Sequence, residues 1–331
     1  VYGGDWNRTW RSDLTDSHLH HSFGIQLRHD DIDPVGLIKT RERAPVSITR
    51  LDKVRETSLG AYYEARWDFR DEWRSVLGIR ADQFWFDVDS DTPDNSGSES
   101  DGIISPKASL IYGFTENSEA YLSGGLGFHS NDARGTTIRV DPITGDPVEP
   151  VDPLVRSTGG EIGFRSLGNS GWIGSVAAWI LELDSELLFV GDAGITEPSR
   201  PSRRWGIESN NTWVISDIWR LEADLAWTDA KFTDYTPEGN KIPGAIETVI
   251  TGAISAEWPN GWFGSLRLRY FGEAPLIEDG SVKSDGSNMV NLLIGWSRDN
   301  WRLRLEILNL FDSDDPVSYT HLRAHETNPC I

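Results

Sequence analysis

Three groups of side chains in this sequence have types and spacings that could do chemistry. The first is acidic: Asp87, Asp89, Asp91, Asp94, Glu99 and Asp101 crowd one polar stretch. Carboxylate oxygens on a flexible loop are hard donors of the kind that hold Ca²⁺. Their spacing does not follow the EF-hand loop, so these six are weak metal candidates and the run predicts a solvated acidic loop. The second group is the His18-Leu19-His20-His21 run. Imidazole is a common metal ligand, and His18 and His21 could share an ion. Yet His21 falls in the alternate apolar series Phe23, Ile25, Leu27, which argues for connecting sequence instead of a site. The third group is Glu64, Arg66, Asp224, Arg267, Arg269 and Arg304, charges that recur at alternate positions inside otherwise apolar segments. Such charges make the lining of a water-filled interior wettable. No Ser/His/Asp order, nucleophile elbow, P-loop or HExxH stands out, so no catalytic residue and no cofactor is expected.

The elements that must carry these residues are strands. In Ala61–Phe69, the residues Ala61, Tyr63, Ala65, Trp67 and Phe69 oppose Tyr62, Glu64, Arg66 and Asp68. Trp219, Leu221, Ala223, Leu225 and Trp227 oppose Arg220, Glu222 and Asp224. The segments opening at Trp262 and Trp301 repeat the pattern. Period-2 alternation of this kind is the signature of a strand with two different faces. Each run holds about ten residues. At a tilt near 45° that covers roughly 25 Å, the height of the apolar band of an outer-membrane barrel.

The connections alternate in length. Short ones are expected near 70–72, 115–118, 168–171, 216–218, 259–261 and 298–300. Long polar ones are expected at 88–103, 130–156, 189–202, 233–245 and 272–286. Membrane barrels have this asymmetry, with tight periplasmic turns and long extracellular loops. The long loops are where a ligand would be gripped, with Asn131, Asp132, Arg134, Arg200 and Arg203 as candidates.

Fifteen tryptophans stand in 331 residues, and their positions matter more than their number. Trp67 and Trp73 flank one short turn, and Trp213 and Trp219 another. Trp258 with Trp262, and Trp296 with Trp301, flank the last two. An indole has an apolar body and a polar N–H, so it favours a headgroup boundary. These eight are the expected aromatic girdle.

The composition narrows the class. A net charge of -21 repels phosphate, so no nucleic-acid partner is expected. No apolar run approaches the roughly 18 residues of a membrane helix, a test blind to strands. The lone cysteine, Cys330, can form no internal disulfide. A soluble all-β protein such as a propeller would use short strands, four to a blade, and would hide its apolar faces. The reading is therefore all-β: a transmembrane, antiparallel, up-and-down β-barrel with about thirteen strands.

Several motifs resemble the C-terminal barrel of TonB-dependent outer-membrane receptors. They are Arg55–Tyr62 leading to Trp73–Arg80, Ser105-Pro106-Lys107, Tyr121–Ala133, Gly160–Arg165, Arg204–Glu208 and Glu306–Asp312. Each is short, but together they span most of residues 20–315 in order. The resemblance implies a barrel of about 22 strands with a plugged lumen. It implies an integral protein of the Gram-negative outer membrane, in contact with lipid and lipopolysaccharide. It implies active uptake of a scarce nutrient such as a ferric siderophore, coupled to the TonB complex through a plug domain. Neither plug, TonB box nor signal peptide is read here, so the chain is expected to be a barrel piece truncated at both ends. A passive porin is the rival reading, and an outer-membrane hydrolase a more distant one. Residues 1–17 are expected to be a partial strand or loop, 18–316 the barrel, and 317–331, which lack alternation, a non-native or disordered tail.

Overall fold

A computed structural model describes residues 1–14, 17–168, 171–190, 195–198 and 200–314. The proposed tail and Cys330 lie outside the described residues. Fourteen strands form one antiparallel up-and-down sheet whose neighbours follow chain order. They are β1 (Tyr2–Leu14), β2 (Ser17–Arg41), β3 (Ala44–Arg70), β4 (Trp73–Ser90), β5 (Gly97–Thr115), β6 (Ser118–Ser130), β7 (Leu154–Ser166), β8 (Trp172–Leu183), β11 (Ser202–Val214), β12 (Trp219–Phe232), β13 (Thr248–Glu257), β14 (Trp262–Phe271), β15 (Ser287–Arg298) and β16 (Trp301–Ile307). A separate hairpin, β9 (Leu187–Val190) with β10 (Ile195–Pro198), lies between β8 and β11. One short helix, α1 (Ala133–Thr137), sits between β6 and β7. The sheet is not closed, with β1 and β16 as its edges, as a partial barrel requires.

The fourteenth strand is β1. Thirteen of its residues pair with β2 in unbroken register, from Tyr2↔His29 to Leu14↔Ser17. Five of the six short connections fall where the sequence placed them, and the one expected at 168–171 lies partly outside the described residues. Gly261 shows why one of them needs glycine: its φ is +93°, and an added Cβ would run into the Ser297 carbonyl. The expected loop at 88–103 is a correction. β4 and β5 run through most of it, leaving only 91–96 between them, with a turn of 3₁₀ helix at Pro93–Asn95. The ladder is made of backbone hydrogen bonds, so polar residues extend it as well as apolar ones. Polarity alone therefore does not mark a loop.

The chain divides into two compact units. The first comprises 1–111, 123–160 and 181–202, and the second 112–122, 161–180 and 203–331. In the first, β2 and β3 are long, at 25 and 27 residues. Their hairpin turns at Glu42 and Arg43, with φ of 52° and 68°. Both values lie in the left-handed region that matches the twist of a two-residue hairpin. This unit has a small water-excluding core of Val54, Phe86, Val88 and Ala133, flanked by Val35 and Phe84. In the second, the buried apolar side chains among the described residues are Ala230, Phe232, Ala253, Ala256 and Ala274. Its large apolar side chains are mostly exposed.

Candidate functional site

Register turns the alternation into two faces. In the second unit, Leu221, Ile254, Leu266, Leu292 and Ile307 form one row across β12 to β16. Trp219, Leu221 and Leu225 are 37–40% exposed, so this face is not packed into a core. The opposite face is polar. Glu222, Ala253, Arg267 and Asn291 make one row, and Asp224, Thr251, Arg269 and Met289 the next. All members of these rows but Met289 border a recess of about 340 Å³.

The six charges read as lining lie on strands, and those with described contacts are held. Lys107 Nζ meets Glu64 at 2.6 Å, and Arg66 meets Asp68 at 3.3 Å. Asp224 accepts from Thr251 Oγ1 at 2.9 Å. Arg269 lies 5.0 Å from the Phe271 ring centroid. Arg304 pairs with Glu306 at 2.6 Å. Arg267 stands in register between Ala253 and Asn291.

The eight tryptophans gather at strand ends beside short turns. Trp262 pairs across the ladder with Trp296, and Arg298 with Trp301. The Trp219 and Trp258 rings meet edge to face at 5.7 Å. Trp213 sits near the end of β11. In the first unit, Trp67 and Trp73 bracket the β3–β4 turn, with Phe69 between them in ring contact with both.

The acidic run is spread over two strands and a turn, so it is not one loop. Asp87 takes Arg55 at 2.7 Å and the Ser98 hydroxyl at 2.8 Å. Glu99 takes Arg139 at 3.5 Å, and Asp101 Oδ1 accepts from the Gly102 N–H at 2.7 Å. Asp89 is on β4, while Asp91 and Asp94 are in the turn region. Among the described residues no three His, Cys, Asp or Glu side chains converge as a metal site. His18 and His21 cannot share an ion, because they point to opposite faces. His18 meets Asp13 at 3.0 Å. His21 stacks on Trp10 at 4.9 Å and bonds the Tyr63 hydroxyl at 2.7 Å.

The loop candidates fold the loop. Asn131 Nδ2 donates to the Asp152 carbonyl at 2.6 Å. Asp132 caps α1 by accepting from Arg134 N at 2.9 Å, and its other oxygen takes Arg134 Nη2 at 2.5 Å. Burial pushes the Asp132 carboxyl up. The hydrogen bonds and charge of Arg134, with the nearby Arg50, outweigh burial and hold it below the usual carboxylate range. The same bonds raise Arg134 against its own burial. Arg203 is an exposed residue of β11, and the Arg200 carbonyl accepts from Glu186 N at 3.1 Å.

Two features had no reading in the sequence. Arg50 and Asp52 form a buried ion pair at 2.5 Å, and Arg50 Nη2 reaches the Arg134 carbonyl at 3.4 Å. Asn95 is fully buried, and its side chain joins the β4–β5 turn to the backbone of Arg139 and Val140 through three bonds of 2.8–3.0 Å. An Arg-x-Asp spacing recurs in this unit, at 28/30, 50/52, 66/68 and 80/82, and it was the available signal.

An open antiparallel sheet with one exposed apolar face, one charged face and tryptophans beside its short turns defines a segment of transmembrane β-barrel wall. The chain belongs to the TonB-dependent receptor family, whose β-barrel model ("TonB dependent receptor-like, beta-barrel") matches residues 1–310. This is a family of outer-membrane transport receptors, not of enzymes. Similar solved structures include the unliganded ferric citrate transporter FecA (13% identity, TM-score 0.76). The ferric yersiniabactin uptake receptor FyuA from Yersinia pestis is 14% identical with a TM-score of 0.71. The closed form of the ferric-catecholate import receptor Fiu from E. coli K12 is 15% identical with a TM-score of 0.66. Each is matched over 94% of this chain, while the chain spans only 48–50% of their length.

Proposed function

We propose that this barrel wall works in TonB-dependent active uptake of a scarce, metal-bearing nutrient such as a ferric siderophore across the outer membrane. The observation that carries the reading is the match of nearly the whole chain, residues 1–310, to the receptor barrel. The similar structures named for ferric chelates support the nutrient class by analogy. Under this reading Glu64, Arg66, Asp224, Arg267, Arg269 and Arg304 line the wet interior. The rows through Leu221 and Leu266 meet lipid, and the eight tryptophans sit at the headgroup level beside the short turns. Lipopolysaccharide surrounds the other end. Energy arrives from the TonB complex through a plug domain of the longer protein, and the ligand binds at the end bearing the long loops.

The test is whole-cell uptake by the full-length protein in a host lacking its own receptors, with radiolabelled iron presented as several chelates. Uptake of at least one chelate that vanishes when TonB is deleted is the expected result. Flux that persists without TonB would identify a passive channel and sink the reading.

A further inference from the structure

One charge stands on the apolar face of the first unit. That face runs across β1 to β4 in rows, from Ser12, Leu19, Trp67 and Ser75 up to Tyr2, His29, Thr57 and Trp85. Arg8, in the row with Phe23, Tyr63 and Ile79, is the only Arg, Lys, Asp or Glu in those rows. The matching rows of the second unit, from Trp219 to Trp227, hold none. Arg8 is exposed and makes no ion pair or side-chain hydrogen bond among the described residues. Arg11, on the opposite face of the same strand, takes Asp13 at 2.6 Å. A cation facing hydrocarbon costs more the deeper it lies, so an unpaired one on this face implies an anionic partner.

Polar groups gather beside it. Trp10 stacks on His21 at 4.9 Å. His21 bonds the Tyr63 hydroxyl at 2.7 Å and the Ser12 hydroxyl at 3.2 Å. Tyr63 shares the Arg8 row, and Ser12 lies further along β1 on the same face. A neutral imidazole has one N–H and one bare nitrogen, so it donates to one of these hydroxyls and accepts from the other. The hydroxyl that accepts keeps its own hydrogen. One O–H on this face is therefore free to donate in either tautomer. Trp6, on the other side of Arg8, meets the Phe23 ring edge to face at 6.1 Å. Two indoles thus flank the guanidinium along β1.

Height selects the source of the anion. Arg8 stands four residues from the Ser12–Trp67 row beside the β3–β4 turn, and six from the Tyr2–Trp85 row. At about 3.3 Å per residue and a tilt near 45°, that is roughly 9 Å of height against roughly 14 Å. A guanidinium on a long stem turns its head to the nearer interface. Short turns face the periplasm in such barrels, so that interface is the phospholipid leaflet and not the lipopolysaccharide one. No carboxylate in these rows is placed to meet an ammonium or choline group. A headgroup of net negative charge therefore fits better than a zwitterionic one.

We propose that Arg8, Ser12, His21 and Tyr63, between Trp6 and Trp10, form a binding site for the phosphate of an anionic phospholipid in the periplasmic leaflet. The proposal rests on the lipid-facing assignment made above and adds a ligand to it. The guanidinium takes the phosphate oxygens in its planar fork, and the free hydroxyl adds a second donor. The indoles pack against the glycerol and the upper acyl chains. TonB has no part in this contact.

The test gives the full-length receptor equal amounts of phosphatidylglycerol and phosphatidylcholine in mild detergent and counts retained lipids by native mass spectrometry. Wild type should hold phosphatidylglycerol about tenfold more tightly than Arg8→Gln, the effect of one charge-assisted hydrogen bond. Phosphatidylcholine retention should be equal in both. Ser12→Ala with Tyr63→Phe should weaken phosphatidylglycerol about threefold. Arg8→Lys, which keeps the charge and loses the fork, should fall between wild type and Arg8→Gln. Arg11→Gln removes the same charge from the opposite face and should leave retention unchanged. Heat-modifiable migration on a gel checks that each variant folds. Equal phosphatidylglycerol retention by wild type and Arg8→Gln would overturn the proposal. So would an equal loss in Arg11→Gln, which traces the preference to net charge. Loss of co-purified lipopolysaccharide instead would put Arg8 in the other leaflet and overturn it too. Brominated phosphatidylcholine in nanodiscs keeps two failures apart. Quenching of tryptophan fluorescence without any headgroup preference means the face meets lipid but holds no site. No quenching at all would sink the lipid-facing reading, and the site with it.

Discussion

The same two strands, β3 and β4, live two different lives along their length. Between Leu59 and Trp67, and between Trp73 and Gln83, the apolar face has no core behind it. Leu59, Leu77 and Ile79 are 42–55% exposed. Further along, between Arg50 and Thr57 and between Phe84 and Asn95, the strands bury Phe86, Val88, Arg50 and Asn95 almost completely. A hydrophobic core exists to remove apolar area from water. Where the surrounding solvent is itself hydrocarbon, exposing Leu77 outward does that work and no core is needed. The core develops on the other face: Phe86 and Val88 alternate with Trp85 along β4 and look away from the side that Leu77 and Ile79 share, and there the β6–β7 loop supplies a covering layer through Ala133.

The comparison breaks most visibly at Phe86. Phe86→Ala should destabilise the loop-bearing end by about 3–5 kcal/mol, because the lost transfer energy is joined by an unfilled cavity. Leu77→Ala should cost only about 1.5–2 kcal/mol, since fluid lipid closes over the gap and leaves the transfer term alone. Urea unfolding of the refolded receptor in lipid vesicles measures both. Equal losses at the two positions would mean both stretches see the same solvent. Next in size is Leu77→Arg, expected to cost about 2–4 kcal/mol in lipid. Its exposure would make it nearly neutral in a water-soluble sheet, so a loss under about 0.5 kcal/mol would remove the lipid assignment.

Asn95→Ala should follow at about 1–3 kcal/mol, since it removes a fully buried side chain that accepts from the backbone N–H groups of Arg139 and Val140. The loss should be local. Hydrogen exchange should accelerate in 131–153 while β12 to β16 keep their protection. Uniform acceleration would mean the mouth and the wall unfold as one body.

Legibility in the sequence followed the same division. Ala61–Phe69 could be read because each of its faces meets one uniform medium, and that medium writes a strict alternation. Four of the six short turns could be read because tryptophans mark both sides. β1 was missed as a full strand because Gly4, Arg8 and Ser12 share a face with Tyr2, Trp6 and Trp10, which blurs the pattern. The stretch 88–103 was read as a loop because above the apolar band a strand no longer needs an apolar face. Asp132 and Arg134 were visible as loop charges. That Arg50 on distant β3 would donate to the Arg134 carbonyl is something local spacing cannot show.

The smallest effect tests the mouth by pH. Asp132 has its carboxyl held low by Arg134 despite burial. A group whose folded value is depressed contributes stability above its unfolded value of about 3.9 and loses it as pH falls through the lower folded value. The β6–β7 loop should thus keep constant protection from pH 7 down to about 5. It should loosen only below about 4, by roughly 1 kcal/mol, the typical worth of a capping carboxylate. Arg134, raised rather than lowered, keeps its charge throughout and adds no titration of its own. Asp132→Asn should loosen the loop by a similar amount at neutral pH and abolish the acid transition. Hydrogen-exchange protection of 133–153, corrected for intrinsic rates at each pH, reads both effects. A transition between pH 5 and 7 that survives in the Asn variant would assign the loop's stability to some other group and detach it from the Arg134 clasp.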